Sequence, residues 1–206
     1  MTDKQLVKSA GEHWVSSVLS RLGWAVALTR DGLARTDILG VRTVTGQMIE
    51  VQVKASSPTK NPRFILGAKG CVPALTDREW YVFVALPAEP WDRTRAFIVP
   101  RDHVAAATWI SHMEWLTNPT APPGTRNTPI GNARVDWRIF ARYEHRWDLL
   151  EGSARDAPVM LPPRYREWAQ EERVGLKPDH PWLGRLPDWD QEEISPDWQS
   201  WLATPT

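Results

Sequence analysis

Three polar side chains at alternate positions, Glu50, Gln52 and Lys54, interrupt an otherwise apolar run. Strand residues alternate faces with period two, so Glu50, Gln52 and Lys54 share one face while Ile49, Val51 and Val53 share the other. Upstream, Asp37 opens a second apolar run, and a Gly-bearing turn at Thr45-Gly46-Gln47 separates the two. Pairing of the runs as a hairpin would bring the Asp37 carboxylate beside the Gln52 amide and the Lys54 ammonium. Such a grouping can hold a hard divalent cation next to a side chain that positions water. The pattern also fits an antiparallel strand with one solvated face, on which Glu, Gln and Lys have no chemical task.

The elements that must position these residues are legible in outline. Leu6, Val7, Ala10, Trp14, Val18, Leu19 and Leu22 recur at helical steps, predicting a helix over Asp3 to Leu22. Thr2 or Asp3 caps its start and Gly23 supplies its stop. Glu12 sits one position off the apolar stripe, where a glutamate is by default a surface residue. Trp24 to Leu28 reads as a short strand, followed by a polar turn from Thr29 to Arg35 that delivers the chain to Asp37. Trp80 to Leu86 is a near-continuous apolar run of the kind found in a central strand. Arg95 to Val99 gives another strand, and Pro100 starts a helix through about His112.

Helix with Gly11-Glu12, strand, turn, Asp37-apolar strand, then an apolar strand ending Gln52-Val53-Lys54 resembles the PD-(D/E)XK nuclease superfamily. Within it, the chain is most similar to the branch of archaeal-type Holliday junction resolvases and type IV restriction endonuclease domains. The resemblance covers roughly residues 4–110. It matches Glu12 to the helix-borne acid, Asp37 to the first strand acid, Gln52 to the second acid position and Lys54 to the lysine. Thr36 stands where the family has proline, and Gln52 replaces Asp or Glu, a variant found among restriction-type members. The resemblance implies an α/β, restriction-endonuclease-like core: a helix, a mixed central sheet of four to five strands and flanking helices. It also implies DNA as the substrate and Mg2+ (or Mn2+) as the cofactor, with Asp37, Gln52 and Glu12 as metal ligands.

Phosphodiester hydrolysis needs charge neutralised on a non-bridging oxygen and a nucleophile drawn from water. Magnesium takes oxygen ligands and keeps several waters, so Asp37, the Gln52 amide oxygen and the Val53 carbonyl would suffice. Lys54 would orient the water or stabilise the developing charge. Because Gln52 adds no charge, metal should be held more weakly unless Glu12 contributes. Glu50 is a second possible compensator or a solvated edge charge. In the polar stretch from Ala55 to Arg63, Lys60 and Arg63, with Lys69 beyond, either hold phosphates or are merely solvated.

Residues 118–132 read as a Pro/Gly-rich loop and Ala133 to Leu150 as a helix. Its apolar face is Val135, Ile139, Tyr143, Trp147 and Leu150. Arg134, Arg138, Arg142 and Arg146 recur every four residues along one edge. They suit a phosphate backbone, or ion pairs to Asp136, Glu144, Asp148 or the acidic tail.

Formal net charge is zero, but residues 1–150 carry 19 Lys/Arg against 14 Asp/Glu and residues 151–206 carry 6 against 11. That asymmetry permits a nucleic-acid partner without demanding one. The last 56 residues also hold five tryptophans and eight prolines. They read as an acidic arm that wraps its own body or a partner, since tryptophans need a surface to lie on. The expected division is a nuclease-like core over 1–115, a loop and Arg-striped helix over 116–150, and the Trp/Pro-rich C-terminal arm over 151–206.

With 42% hydrophobic residues the chain can bury a core, and the single cysteine, Cys71, excludes an internal disulfide framework. Cys71 fits a reducing compartment, and with no membrane-length apolar run or signal-peptide pattern the expected location is cytoplasmic. The five histidines lack zinc spacing. Two functions stay open. One is a metal-dependent DNA endonuclease in phage defence, mobile-element biology or DNA repair. The other is a catalytically inactive nuclease-fold protein binding nucleic acid, a second copy of itself or a protein partner through the arm.

Overall fold

The computed structural model describes residues 3–29, 35–57 and 63–190. A five-stranded mixed sheet forms the centre, flanked by helices, in an α/β arrangement. Its strands are β1 (Trp24–Leu28), β2 (Ile38–Arg42), β3 (Met48–Ser56), β5 (Glu79–Ala85) and β6 (Arg95–Pro100), lying side by side in that order. All neighbours are antiparallel except β3 and β5, which run parallel. The apolar run from Trp80 is therefore an interior strand, and its residues from Glu79 to Val84 are buried. A two-stranded ribbon, β4 (Arg63–Ile65) with β7 (Arg134–Asp136), packs beside the sheet through Phe64, whose ring lies 4.8 Å from that of Phe83.

Helix α1 (Lys4–Arg21) starts on Asp3, whose side chain accepts the Gln5 N–H. The face it buries is Gly11, Val15 and Leu19, while Leu6 stays 67% exposed. The stripe expected from the sequence is thus rotated. Gly11 is the reason: a Cβ there would lie 2.5 Å from the Ala55 Cβ. Only a residue without a side chain lets the helix backbone settle this close to β3. Helix α2 (Arg101–Thr117) follows Pro100 as expected and runs five residues beyond His112.

The expected helix from Ala133 to Leu150 does not exist. The chain there forms β7, a 3-10 helix over Trp137–Tyr143 and another over Trp147–Glu151. The Asp136 side chain accepts the Arg138 N–H and starts the first of these. Trp137, Phe140 and Tyr143 then point into the core at three-residue steps, the repeat of a 3-10 helix. His145, at φ 53, ends any continuation. Four arginines at four-residue spacing consequently share no helical edge.

The described part of the C-terminal segment lies on the body. Helix α3 (Pro163–Gln170) and Val159, Leu161, Val174 and Trp189 join the same core as the sheet. Trp168 and Trp182 pack against it. Residues 191–206, with Trp198 and Trp201, lie outside the described residues. Among the described residues, no helix is long and apolar enough to cross a membrane. Cys71 is buried, and burial pushes its thiol up to about 12, which suits a packing role.

The C-terminal segment is tied down by one buried polar chain. Tyr143 Oη accepts the Met160 N–H at 2.8 Å and lies 2.8 Å from His103 Nδ1. Burial, aided by nearby His180, pushes the His103 imidazole from 6.5 down to about 3. The unfolded chain takes up this proton near pH 6.5, and the folded chain does so only near 3. Stability is thus complete above pH 6.5 and declines by about 1.4 kcal/mol per pH unit as pH falls toward 3. Urea unfolding from pH 7 to pH 5 should show a slope to which His112, His145 and His180, also held low by burial, add, and His103→Gln should flatten it by about one proton.

Candidate active site

The β2–β3 hairpin ends at Asp37, and the way it ends creates the site. Ile38 pairs with Val51, and the Asp37 N–H donates to the Val51 carbonyl at 2.9 Å. The next donor along β3, the Val53 N–H, is taken by the Asp37 carboxylate, at 2.8 Å from Oδ2. Gln52 Nε2 donates to the same oxygen at 2.5 Å. A side chain thereby substitutes for the missing rung of the ladder. Asp37 is fixed from the other side too, because its carbonyl accepts the Thr29 N–H at 2.9 Å. Among the described residues, no donor reaches its other oxygen, Oδ1.

Across the parallel pair, Gln52 lies opposite Tyr81 and Lys54 opposite Phe83. These four share one face, on which Tyr81 and Phe83 stack with ring centres 5.5 Å apart. Val53 and Ala55 face the opposite way, toward Gly11 of α1. Gln52 is 8% exposed and Lys54 half-buried. Burial lowers the Lys54 pKa, and Asp37 opposes this. Lys8, Arg101 and Lys69 push it down further, leaving it below the ordinary value of 10.5. Two of these cations carry their own acids, Lys8 beside Glu12 at 3.6 Å and Arg101 beside Glu79 at 2.7 Å, so the charge that faces Asp37 is chiefly that of Lys54.

Beneath this surface lies a buried ionic knot absent from the sequence reading. Glu79 is 3% exposed and Arg101 is 3% exposed. Arg101 Nε lies 2.7 Å from Glu79 Oε2, which also accepts Arg35 Nη2 at 2.7 Å. Arg101 continues to the Arg35 carbonyl at 2.8 Å and to Tyr81 Oη at 3.2 Å, with its guanidinium 4.6 Å from the centre of the Tyr81 ring. Burial pushes the Glu79 carboxyl up. Arg35, the Leu75 N–H, the Arg101 charge and the Thr76 N–H more than offset that, holding it below 4.5. The only signals in the sequence were an acid at the head of an apolar run and an arginine directly after Val99-Pro100.

Asp37, Gln52 and Lys54 are therefore brought together. Glu12 lies on α1, beside the Gly11 that packs on β3, with its carboxylate 3.6 Å from Lys8 Nζ. Lys8 in turn acts on Lys54 through its charge. Glu50 lies opposite Glu79 in the ladder, on the same face as Gln52. Lys69 is exposed on a short 3-10 helix, Ala68–Cys71. Arg63 and Arg134 are exposed on the ribbon. Arg138 is bound bidentately to Asp136, Arg142 lies 2.5 Å from Asp190, and Arg146 lies 2.7 Å from Asp148. Lys60 lies outside the described residues.

No known protein family and no curated protein matches the sequence. Among solved structures, the chain is similar to a bacterial homing endonuclease, at 16% identity and a TM-score of 0.36, over 51% of this chain and 74% of that one.

Proposed function

We propose that the protein is a metal-dependent endonuclease that hydrolyses phosphodiester bonds in DNA. The observation that carries this reading is the convergence of Asp37, Gln52 and a desolvated Lys54 where the β2–β3 ladder breaks. A phosphodiester is the kind of anion that a partly buried ammonium pairs with.

Among the described residues, no three His, Cys, Asp or Glu side chains form a metal cluster. The donors at the hairpin end are the Asp37 carboxylate, the Gln52 amide and the Val53 carbonyl, with Glu12 of α1 as the expected further carboxylate. That set fits magnesium when the substrate's own phosphate completes the shell, since this ion is held by one or two carboxylates plus phosphates. When bound, the ion would neutralise the scissile phosphate and acidify a water. Asp37 Oδ1 would face it, with Oδ2 kept in place by Val53 and Gln52. Lys54 would place its ammonium on the non-bridging oxygen that gains charge during attack. Proximity to the phosphate favours the charged form of Lys54, offsetting the burial that now lowers its pKa.

Supercoiled plasmid, linear duplex, single strands and a four-way junction, each incubated with Mg2+, Mn2+ or chelator, test this directly. Cutting that requires metal is expected, and failure to cut any substrate would overturn the activity. A second reading, a nucleic-acid-binding protein without activity, draws on Gln52 standing where a carboxylate would hold metal better. The wild type's own melting temperature separates the two. Millimolar Mg2+ should raise it if a cation is held here and leave it unchanged if Gln52 has abolished binding. Gln52→Glu is the control: it replaces the donor to Asp37 with a second carboxylate, so its melting temperature should fall in chelator and rise with Mg2+. No metal response in either protein would count against a cation at this position.

A further inference from the structure

A second concave site lies away from Asp37, Gln52 and Lys54. It is a cavity of about 680 Å3 between the β4–β7 ribbon, the second half of α2, and α3. We propose that this cavity binds one unpaired nucleotide, with the base against its tryptophans and the phosphate on Arg63 and Arg134.

Strand alternation sets its floor. Phe64 and Val135 are buried, so the neighbouring positions Arg63, Ile65, Arg134 and Asp136 turn outward together. Among the described residues, Arg134 has no ion-pair partner, and Arg63 stands opposite Asp136 in the ladder, close enough for its charge to help hold that carboxyl low. Asp136, the acid on the same face, is engaged by the Arg138 guanidinium through both oxygens and by the Arg138 N–H. The ribbon face is therefore cationic in net effect.

The walls are aromatic and carry hydrogen-bonding groups. Trp115 from α2 is 38% exposed, and Trp168 from α3 faces the same cavity. Glu114 and Asn132 add a carboxylate and an amide to the lining, able to meet the amino and carbonyl groups of a base edge. Arg126 lies over Trp115 at 5.3 Å from the ring centre and Arg164 over Trp168 at 4.2 Å, so one face of each indole is covered and the other is what a base would stack on. Indole faces for stacking, guanidiniums for phosphate and polar groups for a base edge are the means by which proteins hold unstacked nucleotides. The volume lies within the roughly 300–1,000 Å3 of small-ligand sites. Bases stacked inside a duplex cannot reach these walls, which points to a single-stranded or extrahelical nucleotide, or a free one. The source in DNA rests on the nuclease reading, and the pocket itself does not.

Binding is read without cleavage, in chelator, by anisotropy of a labelled ten-nucleotide single strand and of the same sequence as a blunt duplex. Single strand should bind more tightly than duplex. Trp115→Ala should weaken single-strand binding about tenfold. Arg134→Ala should weaken it and reduce the slope of log K against log salt by about one. Both positions are exposed, and unchanged melting temperatures would show that the fold is intact. Competition by deoxynucleoside monophosphates would show that the pocket takes free nucleotides, and lack of competition would assign it to a nucleotide within a strand. Equal affinity for single strand and duplex, with neither variant altering it, would overturn the proposal. Metal-dependent cutting could still stand in that case, and the pocket could equally stand if cutting failed.

Discussion

Lys54→Met is expected to abolish cleavage while leaving the fold as stable as the wild type or more so. The two effects have one physical origin. Burial, together with Lys8, Arg101 and Lys69, makes the charged ammonium unfavourable in the folded protein, and Asp37 only partly compensates. Methionine keeps most of the stem and relieves the desolvation. Removing a group that stabilises charge only during the reaction costs about a hundred- to a thousand-fold in rate. A lysine that merely decorated a wet strand face would change neither quantity. Asp37→Asn is the companion: its amide oxygen can still accept the Val53 N–H, so the strand end should survive while the charge proposed to hold a cation is lost. Plasmid cleavage and thermal melting of the two variants, measured side by side, check both halves. Retained cleavage in Lys54→Met would remove the lysine from the mechanism.

Glu79→Gln should be the most destabilising single substitution near the site, at about 3–5 kcal/mol. It leaves the buried Arg101 guanidinium facing Arg35 without the carboxylate that binds both. It also weakens the hydrogen bonds that Oε1 accepts from the Leu75 N–H at 2.6 Å and the Thr76 N–H at 3.2 Å. The contribution has a defined pH range. Because the folded carboxyl titrates below its ordinary 4.5, its stabilisation is complete above that value and is lost as pH falls through the folded value. Urea unfolding at pH 7 should show the full difference between wild type and variant, and the gap should narrow as pH falls below 4.5. Arg101 also holds the Arg35 carbonyl, two residues before Asp37, so the variant should lose activity even where it remains folded.

The outcome for each stretch depended on whether its determinants were local. The hairpin carrying Asp37, Gln52 and Lys54 could be read because alternation and a glycine turn are short-range, and the register set by that turn, with Ile38 opposite Val51, places Asp37 near Val53. The interior strand from Trp80 could be read because all its faces are apolar. The segment from Ala133 could not. Its apolar residues satisfy four-residue and three-residue repeats alike, and the choice fell to β4 pairing with Arg134–Asp136 and to the core taking Trp137, Phe140 and Tyr143. Three of the arginines that seemed aligned for a polyanion, Arg138, Arg142 and Arg146, found acids instead, one of them Asp190 on the C-terminal segment.

The sequence by itself determined the chemistry available at the hairpin end, because identity and period are properties of the chain. Only the tertiary structure decided how that chemistry is tuned. Lys8, Lys69 and Arg101 lie 46, 15 and 47 residues from Lys54, and Glu79 lies 44 from Arg35. The field at Lys54 and the knot beneath it depend on distances through space that no local pattern encodes. The nucleotide-sized cavity likewise exists only where ribbon, α2 and α3 meet.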